Sequence, residues 1–340
     1  MNCRERPYAN VCLTNECNYK CYYCQVGGEN HGIYGKKSLQ LNDVKKILKI
    51  LDNLDVKRIR FTGGEPTLLP YFGDIICYAL ELGFSKIRIS TNGHNVSRYV
   101  EKLKNERIRI QVSLDTLEKE KFAKITGGGN LEQVMKELDI LSTNNINTRI
   151  NVVVMKSNLM EINNIINYCN EKNFSIKLLG LELLDCFDKE RVLREIISKK
   201  EYSELLENIG DKCNEIMAPG KLGIPMSEYK AGKTNIRIRF FDGWGAKYIE
   251  FCKNCSIFPC PSGIYGIQIL SNGETSLCRF RRGKKIDLLE CKDEKDIALD
   301  LENLLDEVID DAKKIKQTEV VTFGTKEFIK TPESIHNDRM

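Results

Sequence analysis

Histidine is the scarcest chemistry-bearing residue of this sequence, with His31, His94 and His336 its three copies in 340 residues. That excludes a His-rich metal site and leaves few candidates for a Ser-His-Asp triad. No apolar run approaches the roughly 18–20 residues of a membrane-spanning helix. The opening MNCRERPYANV has none of the apolar core of a secretory signal, so a cytoplasmic protein is expected. An excess of one charge is also lacking. Lys and Arg number 52 against 48 Asp and Glu, a net +4, which permits an anionic substrate but gives no strong nucleic-acid signal. Neither an internal repeat nor a low-complexity tract is present. What remains is an ordinary globular composition, 41% apolar and 29% charged, long enough for roughly one to three domains.

Against these absences stand fourteen cysteines. That is more than packing needs and too sparse for a small disulfide scaffold. With no export signal, metal or redox chemistry is favoured over disulfides.

The first half alternates short apolar strands with amphipathic helices. Strand patterns fall at 9–13, 57–62, 86–90, 109–114, 149–155 and 176–183, and helical ones at 41–54, 71–82, 96–104, 131–141 and 161–170. Six such alternations predict a parallel sheet with helices outside, either an open doubly wound sheet or a barrel. In both, ligands sit at the carboxyl ends of the strands. From residue 189 the pattern becomes helical, at 191–197 and 202–217, followed by a Pro/Gly-containing loop at 219–232. Strand-like runs and four clustered cysteines at 236–278 read as a small second domain, and 298–315 as a terminal amphipathic helix. The expected divisions are a core at 1–188, a helical connection at 189–235, a cysteine-rich domain at 236–290, and a terminal helix and tail at 291–340.

The informative sequences come just after strands. CNYKCYYC places Cys17, Cys21 and Cys24 in a C-x3-C-x2-C array after the first strand. Thiolates suit zinc or iron–sulfur clusters. Three from one loop can hold three corners of a [4Fe–4S] cube and leave the fourth iron open, as a catalytic site needs. Half of a structural zinc site, completed by a residue such as His31, is the alternative on spacing alone. The second strand ends in RFTGGEP, where paired glycines remove side chains so that a ligand can approach the backbone. ISTNG and VSLDT bring Ser90, Asn92, Ser113 and Asp115 to the ends of the next two strands. Singly, each of these reads as a turn or a helix cap.

In this order the motifs resemble the radical S-adenosylmethionine (SAM) superfamily. CNYKCYYC is similar to its CxxxCxΦC motif, with Tyr23 as the aromatic. Gly63, Gly64, Glu65 and Pro66 are similar to its GGEP motif, which implies contact with the amino group of SAM. The resemblance implies that Cys17, Cys21 and Cys24 hold a [4Fe–4S] cluster that chelates SAM and cleaves it to a 5′-deoxyadenosyl radical. Tyr23, Ser90, Asn92, Ser113 and Asp115 would help hold the cofactor. VSLDTLEKEKFAKITGGG and RINVVVMKSNLMEI narrow the resemblance to the GTP 3′,8-cyclases, the MoaA family. That implies a partial (β/α)6 TIM-type barrel followed by a small cysteine-rich domain with an auxiliary [4Fe–4S] cluster.

Cys252, Cys255, Cys260 and Cys278 would be the auxiliary ligands; a small zinc knot is the alternative on spacing. Here the sequence departs from the family, which uses C-x2-C-x13-C and keeps an open iron. Counting back from Cys278, the family's substrate-binding arginine pair falls on Gly266 and Gln268, and its C-terminal Gly-Gly is replaced by HNDRM. A paralogue with another substrate is therefore expected. Lys156, Arg237, Arg239 and Arg279 are candidate substrate contacts, since arginines clamp phosphates and carboxylates bidentately. The expected substrate is a nucleotide or other anionic small molecule, and the expected electron donor a reductant such as flavodoxin or ferredoxin. Modification of a peptide or protein is the alternative, although little sequence precedes Cys17 to hold a leader peptide. A non-catalytic zinc-binding module is the remote one. AGKT at 231–234 imitates a phosphate-binding loop, but Ser227 stands where its first glycine belongs.

Overall fold

The computed structural model describes residues 7–24, 37–181, 188–216, 226–239, 264–278 and 284–314. Six strand–helix units come first: β1 (Ala9–Thr14), α1 (Leu41–Asn53), β2 (Arg58–Gly63), α2 (Phe72–Glu81), β3 (Lys86–Thr91), α3 (Val100–Leu103), β4 (Ile108–Ser113), α4 (Lys119–Thr126), α5 (Leu131–Thr143), β5 (Thr148–Val154), α6 (Ile162–Glu171) and β6 (Ser175–Gly180). There follow α7 (Lys189–Glu195), α8 (Lys199–Asn208), β7 (Asp211–Ile216), β8 (Met226–Ala231), β9 (Thr234–Arg239), β10 (Ile264–Ile269), β11 (Glu274–Cys278), β12 (Ile286–Asp287) and α9 (Glu294–Lys314).

Strands β1 to β6 pair in parallel and in chain order. The sheet does not close. On one side β10 joins β1 in parallel and leads to β11 and β12; on the other β9 joins β6 in parallel and leads to β8 and β7. This is the partial barrel that the resemblance implies, with each end of the sheet extended by antiparallel strands.

Alternation of side chains decides the two faces. Ile59, Phe61, Ile87, Ile89, Ile110, Val112, Ile150, Val152, Ile176 and Leu178 are at most 1% exposed and pack under the helices. The intervening residues face the concave side and are polar or basic. On α1, Val44, Ile47, Leu48 and Leu51 are buried, as the one-faced pattern predicts. The Asp43 carboxylate caps that helix by accepting from Gln40 N at 2.8 Å.

Three local expectations change. The helix expected over 202–217 stops at Asn208, because Gly210 has φ +125° and a Cβ there would lie 2.5 Å from Lys230 O. Only glycine makes that turn, and the chain continues as β7. Part of the loop expected over 219–232 is the strand β8, held between β7 and β9. The strand expected over 176–183 ends at Gly180.

The terminal helix α9 packs on α1, with Leu301 and Leu305 fully buried and Lys46 Nζ on Glu290 O at 2.7 Å. The side chains from Val308 onward lie outside the described ones. Leu301→Ala should destabilise the chain by about 2–5 kcal/mol through transfer and cavity terms. Urea unfolding followed by circular dichroism checks this, and a midpoint equal to wild type would contradict the packing.

Candidate active site

The loop after β1 carries Cys17, Cys21 and Cys24 and is clamped from two sides by backbone. On the β2 side, Gly64 N donates to Thr14 O at 2.7 Å and Glu65 N to Glu16 O at 2.8 Å. On the α4 side, Lys20 N donates to Thr126 O at 2.8 Å and Tyr22 N to Ile125 O at 3.1 Å. Such close approach requires glycine. A Cβ on Gly63 would lie 2.2 Å from Thr14 O, and one on Gly64 2.0 Å from Glu16 O. Opposite them, a Cβ on Gly127 would lie 2.8 Å from Lys20 O. The paired glycines of GGEP thus make room for the cysteine loop itself, a reason beyond the ligand approach read from the sequence.

Glu65 is fully buried and works as a strut. Its Oε1 accepts from Thr67 N (3.0 Å), Thr67 Oγ1 (2.6 Å) and Thr91 Oγ1 (2.7 Å), and its Oε2 from Asn92 N (2.6 Å). Burial raises its pKa, and these four donors oppose that by satisfying the carboxylate. The strut fixes the end of β3, so that Asn92 Nδ2 lies 2.7 Å from Asn18 Oδ1 and 3.8 Å from Cys17 Sγ. Thr67 and Thr91 were not singled out in the sequence, where nothing distinguishes them from other strand-end threonines.

Asp115 anchors the other side of the mouth. Its Oδ2 accepts from Tyr23 OH at 2.5 Å and its Oδ1 from Val153 N at 2.8 Å. Burial lifts its pKa to about 6, against the pull of those two donors. The fully buried Asn158 completes the junction, donating to Asp115 O and Val153 O at 2.8 Å each. Sequence gave no signal for Asn158. Tyr22 is held by Met155 Sδ at 2.7 Å and by the Arg191 guanidinium 3.8 Å from its ring centre.

Three thiols therefore sit on one clamped loop at the carboxyl end of β1. Burial first, then the nearby Cys24, Asp115 and Cys17, hold the Cys21 thiol well above its ordinary pKa, and burial raises Cys17 as well. Thiols so placed do not ionise together without a cationic partner, which a metal centre supplies. Among the described residues no three His, Cys, Asp or Glu side chains gather as ligands of one metal ion. The donor set fits a multi-iron cluster with soft thiolate ligands.

Comparison with known proteins agrees. The Radical SAM superfamily profile matches residues 11–169. A GTP 3′,8-cyclase of Clostridium perfringens (strain 13 / Type A) is 30% identical over 278 residues, covering 78% of this chain and 84% of that protein. A probable GTP 3′,8-cyclase of Methanococcus maripaludis (strain C7) is 32% identical over 297 residues, covering 84% and 89%. This chain belongs to the radical SAM superfamily. Among solved structures, Streptococcus suis SuiB bound to precursor peptide SuiA superimposes with a TM-score of 0.61 at 16% identity, covering 93% of this chain and 68% of that one. Native anSMEcpe with bound AdoMet and Kp18Cys peptide gives 0.57 at 16% identity, covering 94% and 89%. At that identity the likeness is one of fold.

The superfamily's cofactors are a [4Fe–4S] cluster and SAM. In this radical SAM enzyme the residues read from the first four motifs lie at the carboxyl ends of β1 to β4. Ser90 Oγ lies 3.5 Å from Gln111 Oε1, and Ser113 is exposed at the end of β4. Pro66 opens a short 3-10 turn whose cap is Glu65. Lys156 is exposed just after β5. Arg237 and Arg239 lie on β9, with Arg237 Nε on Glu228 Oε1 at 2.5 Å and Arg239 buried. Cys278 ends β11. His31, Cys252, Cys255, Cys260 and Arg279 fall outside the described residues. No helix among the described residues is long and apolar enough to cross a membrane.

Gly64→Ala should deprive the anaerobically reconstituted protein of most of its iron and sulfide, because the methyl group collides with the Cys-loop backbone. Gly128→Ala, strained at φ +108° but with open space around its Cβ, should retain both. Equal cluster content in the two variants would show that the clamp does not position the thiols.

Proposed function

We propose that Cys17, Cys21 and Cys24 ligate the [4Fe–4S] cluster and that the substrate is a nucleotide or other anionic small molecule held in the barrel lumen. The clamped three-thiol loop beside the Glu65–Asn92 strut is the observation that carries the reading. When bound, the cluster and SAM supply reductive C–S cleavage and a 5′-deoxyadenosyl radical that abstracts hydrogen from substrate. The protein's part is positional. Gly63 to Pro66 offer backbone toward the amino group of SAM, while Ser90, Asn92, Ser113 and Asp115 line the same mouth. Tyr23 is oriented by Asp115. The helices and the extended sheet exclude water from the lumen, which protects a radical from quenching.

The likeness to GTP 3′,8-cyclases supports a nucleotide, and two positions argue for a different one from GTP. Gly266 has φ +151°, and a Cβ there would lie 2.6 Å from Tyr8 O, so an arginine has no room. Gln268 is 6% exposed, with Nε2 turned back to Gly266 O at 3.4 Å. Cys252, Cys255, Cys260 and Cys278 would hold a second [4Fe–4S] cluster. Four ligands would close it, so its role is electron uptake more than substrate anchoring. A reductant of the flavodoxin or ferredoxin type would donate the electron.

Cys24→Ala should abolish 5′-deoxyadenosine formation by the reduced, reconstituted protein; an unchanged rate would sink the assignment. Wild-type enzyme should cleave SAM slowly and at a rate indifferent to GTP. A burst of 5′-deoxyadenosine matched by loss of GTP would instead assign the cyclase reaction.

A further inference from the structure

The helix α7, KERVLRE, is seven residues long and too short to stand by itself. Asp188 caps it, its side chain accepting from Arg191 N at 2.9 Å. Val192 is fully buried, in an apolar cluster with Tyr22, Ile125, Met155, Leu181 and Ile196 that is separate from the main core. What α7 packs on is therefore the cysteine loop, through Tyr22, and the turn after β5, through Met155. Polar contacts run to the same two places. Asp188 N donates to Tyr22 O at 3.1 Å, and Ser157 N to Glu195 Oε2 at 2.9 Å. One turn apart, Arg191 and Glu195 share the side of α7 that acts on Tyr22.

The surroundings of the loop are otherwise negative. Three successive carbonyls at the end of α4 take donors from outside the helix. Lys124 O accepts from Arg191 Nη1 at 3.3 Å, Ile125 O from Tyr22 N at 3.1 Å, and Thr126 O from Lys20 N at 2.8 Å. The last carbonyls of a helix have no partner within it, and they form the negative end of its dipole. The cysteine loop is laid across that end. Two buried carboxylates add to it. Beyond burial, Glu65 raises the pKa of the Cys17 thiol, and Cys24 and Asp115 raise that of Cys21. Arg191 is the charge of opposite sign. Its guanidinium lies 3.8 Å from the ring centre of Tyr22, the residue after Cys21, and it makes no ion pair among the described residues. A guanidinium keeps its proton in proteins. Tyr22 registers the balance: after burial, Glu195 raises its pKa and Arg191 lowers it.

We propose that Arg191 eases the entry of an electron into the cluster of the cysteine loop, and that Glu195, one turn along α7, opposes it. The inference rests on the reading of Cys17, Cys21 and Cys24 as cluster ligands. The step is a one-electron transfer from the reductant of flavodoxin or ferredoxin type; no bond breaks and no proton moves. An added electron is repelled by the helix end and the carboxylates, and a cation held beside the loop offsets that repulsion. Screening by salt is weak where the charges are partly buried. Arginine suits the place better than lysine, since a planar guanidinium stacks on the Tyr22 ring while it donates to Lys124 O. Arg191 therefore acts as a positioning residue as well, pinning Tyr22 to the end of α4.

The test is a redox titration of the anaerobically reconstituted chain without SAM, followed by electron paramagnetic resonance. Cys24→Ala identifies the signal of this cluster, since an auxiliary cluster would keep its own. At the potential that half-reduces wild type, Arg191→Met should lower the ratio of reduced to oxidised cluster about tenfold, the order expected of one nearby unit charge. That is a midpoint lower by ~59 mV for one electron. Glu195→Gln keeps an oxygen for Ser157 N and should move the midpoint the other way. Arg191→Lys, which keeps the charge, should fall between wild type and Arg191→Met. A displaced loop would shift both charge variants in the same direction, whereas charge alone gives opposite signs. Should Arg191→Met not fold, judged by its melting temperature, Arg191→Lys and Glu195→Gln carry the comparison. Midpoints equal to wild type, or moved the same way by both charge changes, would overturn the inference and leave the ligand reading intact. A Cys24→Ala protein that keeps the whole signal would defeat the ligand reading and this inference with it.

Discussion

Backbone contact between the cysteine loop and its neighbours is the constraint on which the site depends. A loop with three thiols has little reason to hold one shape, since its apolar content is small and its thiols repel once ionised. Here four main-chain hydrogen bonds, two from the β2 turn and two to the end of α4, add to the packing of Tyr19 and Tyr22. They are possible only where Cβ atoms are missing, at Gly63, Gly64 and Gly127. The thiols are thus positioned before any metal arrives. The Glu65 strut extends the same order to β3, and the Tyr23–Asp115 bond extends it to β4 and β5.

A second constraint sets the character of the lumen. A sheet buried on both faces usually reads as continuous apolar sequence, yet through the middle of these strands Ile, Val or Phe alternates with a polar or basic residue. The helix-facing half supplies the stability of the fold. The concave half costs stability, because cations are crowded where solvent is scarce.

Much of this was legible in the sequence. The six alternations placed the strands to within one to three residues, because each is framed by a Gly or Asn turn and carries a period of two. Cys17, Cys21, Cys24, Glu65, Asn92 and Asp115 declared themselves by position after strands. The basic concave face did not. Arg60, Arg88, Arg109 and Arg149 lie on four different strands, tens of residues apart, and only register shows that they share a face. β7 was missed for a related reason: Tyr202 to Met217 has helical periodicity throughout, and the break comes from the backbone of one glycine, Gly210, against Lys230. Asn158 was invisible because its work is done entirely by contacts to main-chain atoms.

Gly266 links these features. Its conformation is set by the parallel pairing of β10 with β1, which brings Tyr8 O to where a Cβ would sit. The strand between Cys260 and Cys278 is therefore welded to the barrel at this point and presents backbone where the resemblance places an arginine. Tyr8 also stacks under the Arg88 guanidinium, 4.3 Å from its ring centre. The residue that denies room to a side chain on β10 thus supports a cation on β3. Loss of a charged contact on one strand and support of another on the barrel wall are two consequences of the same local packing.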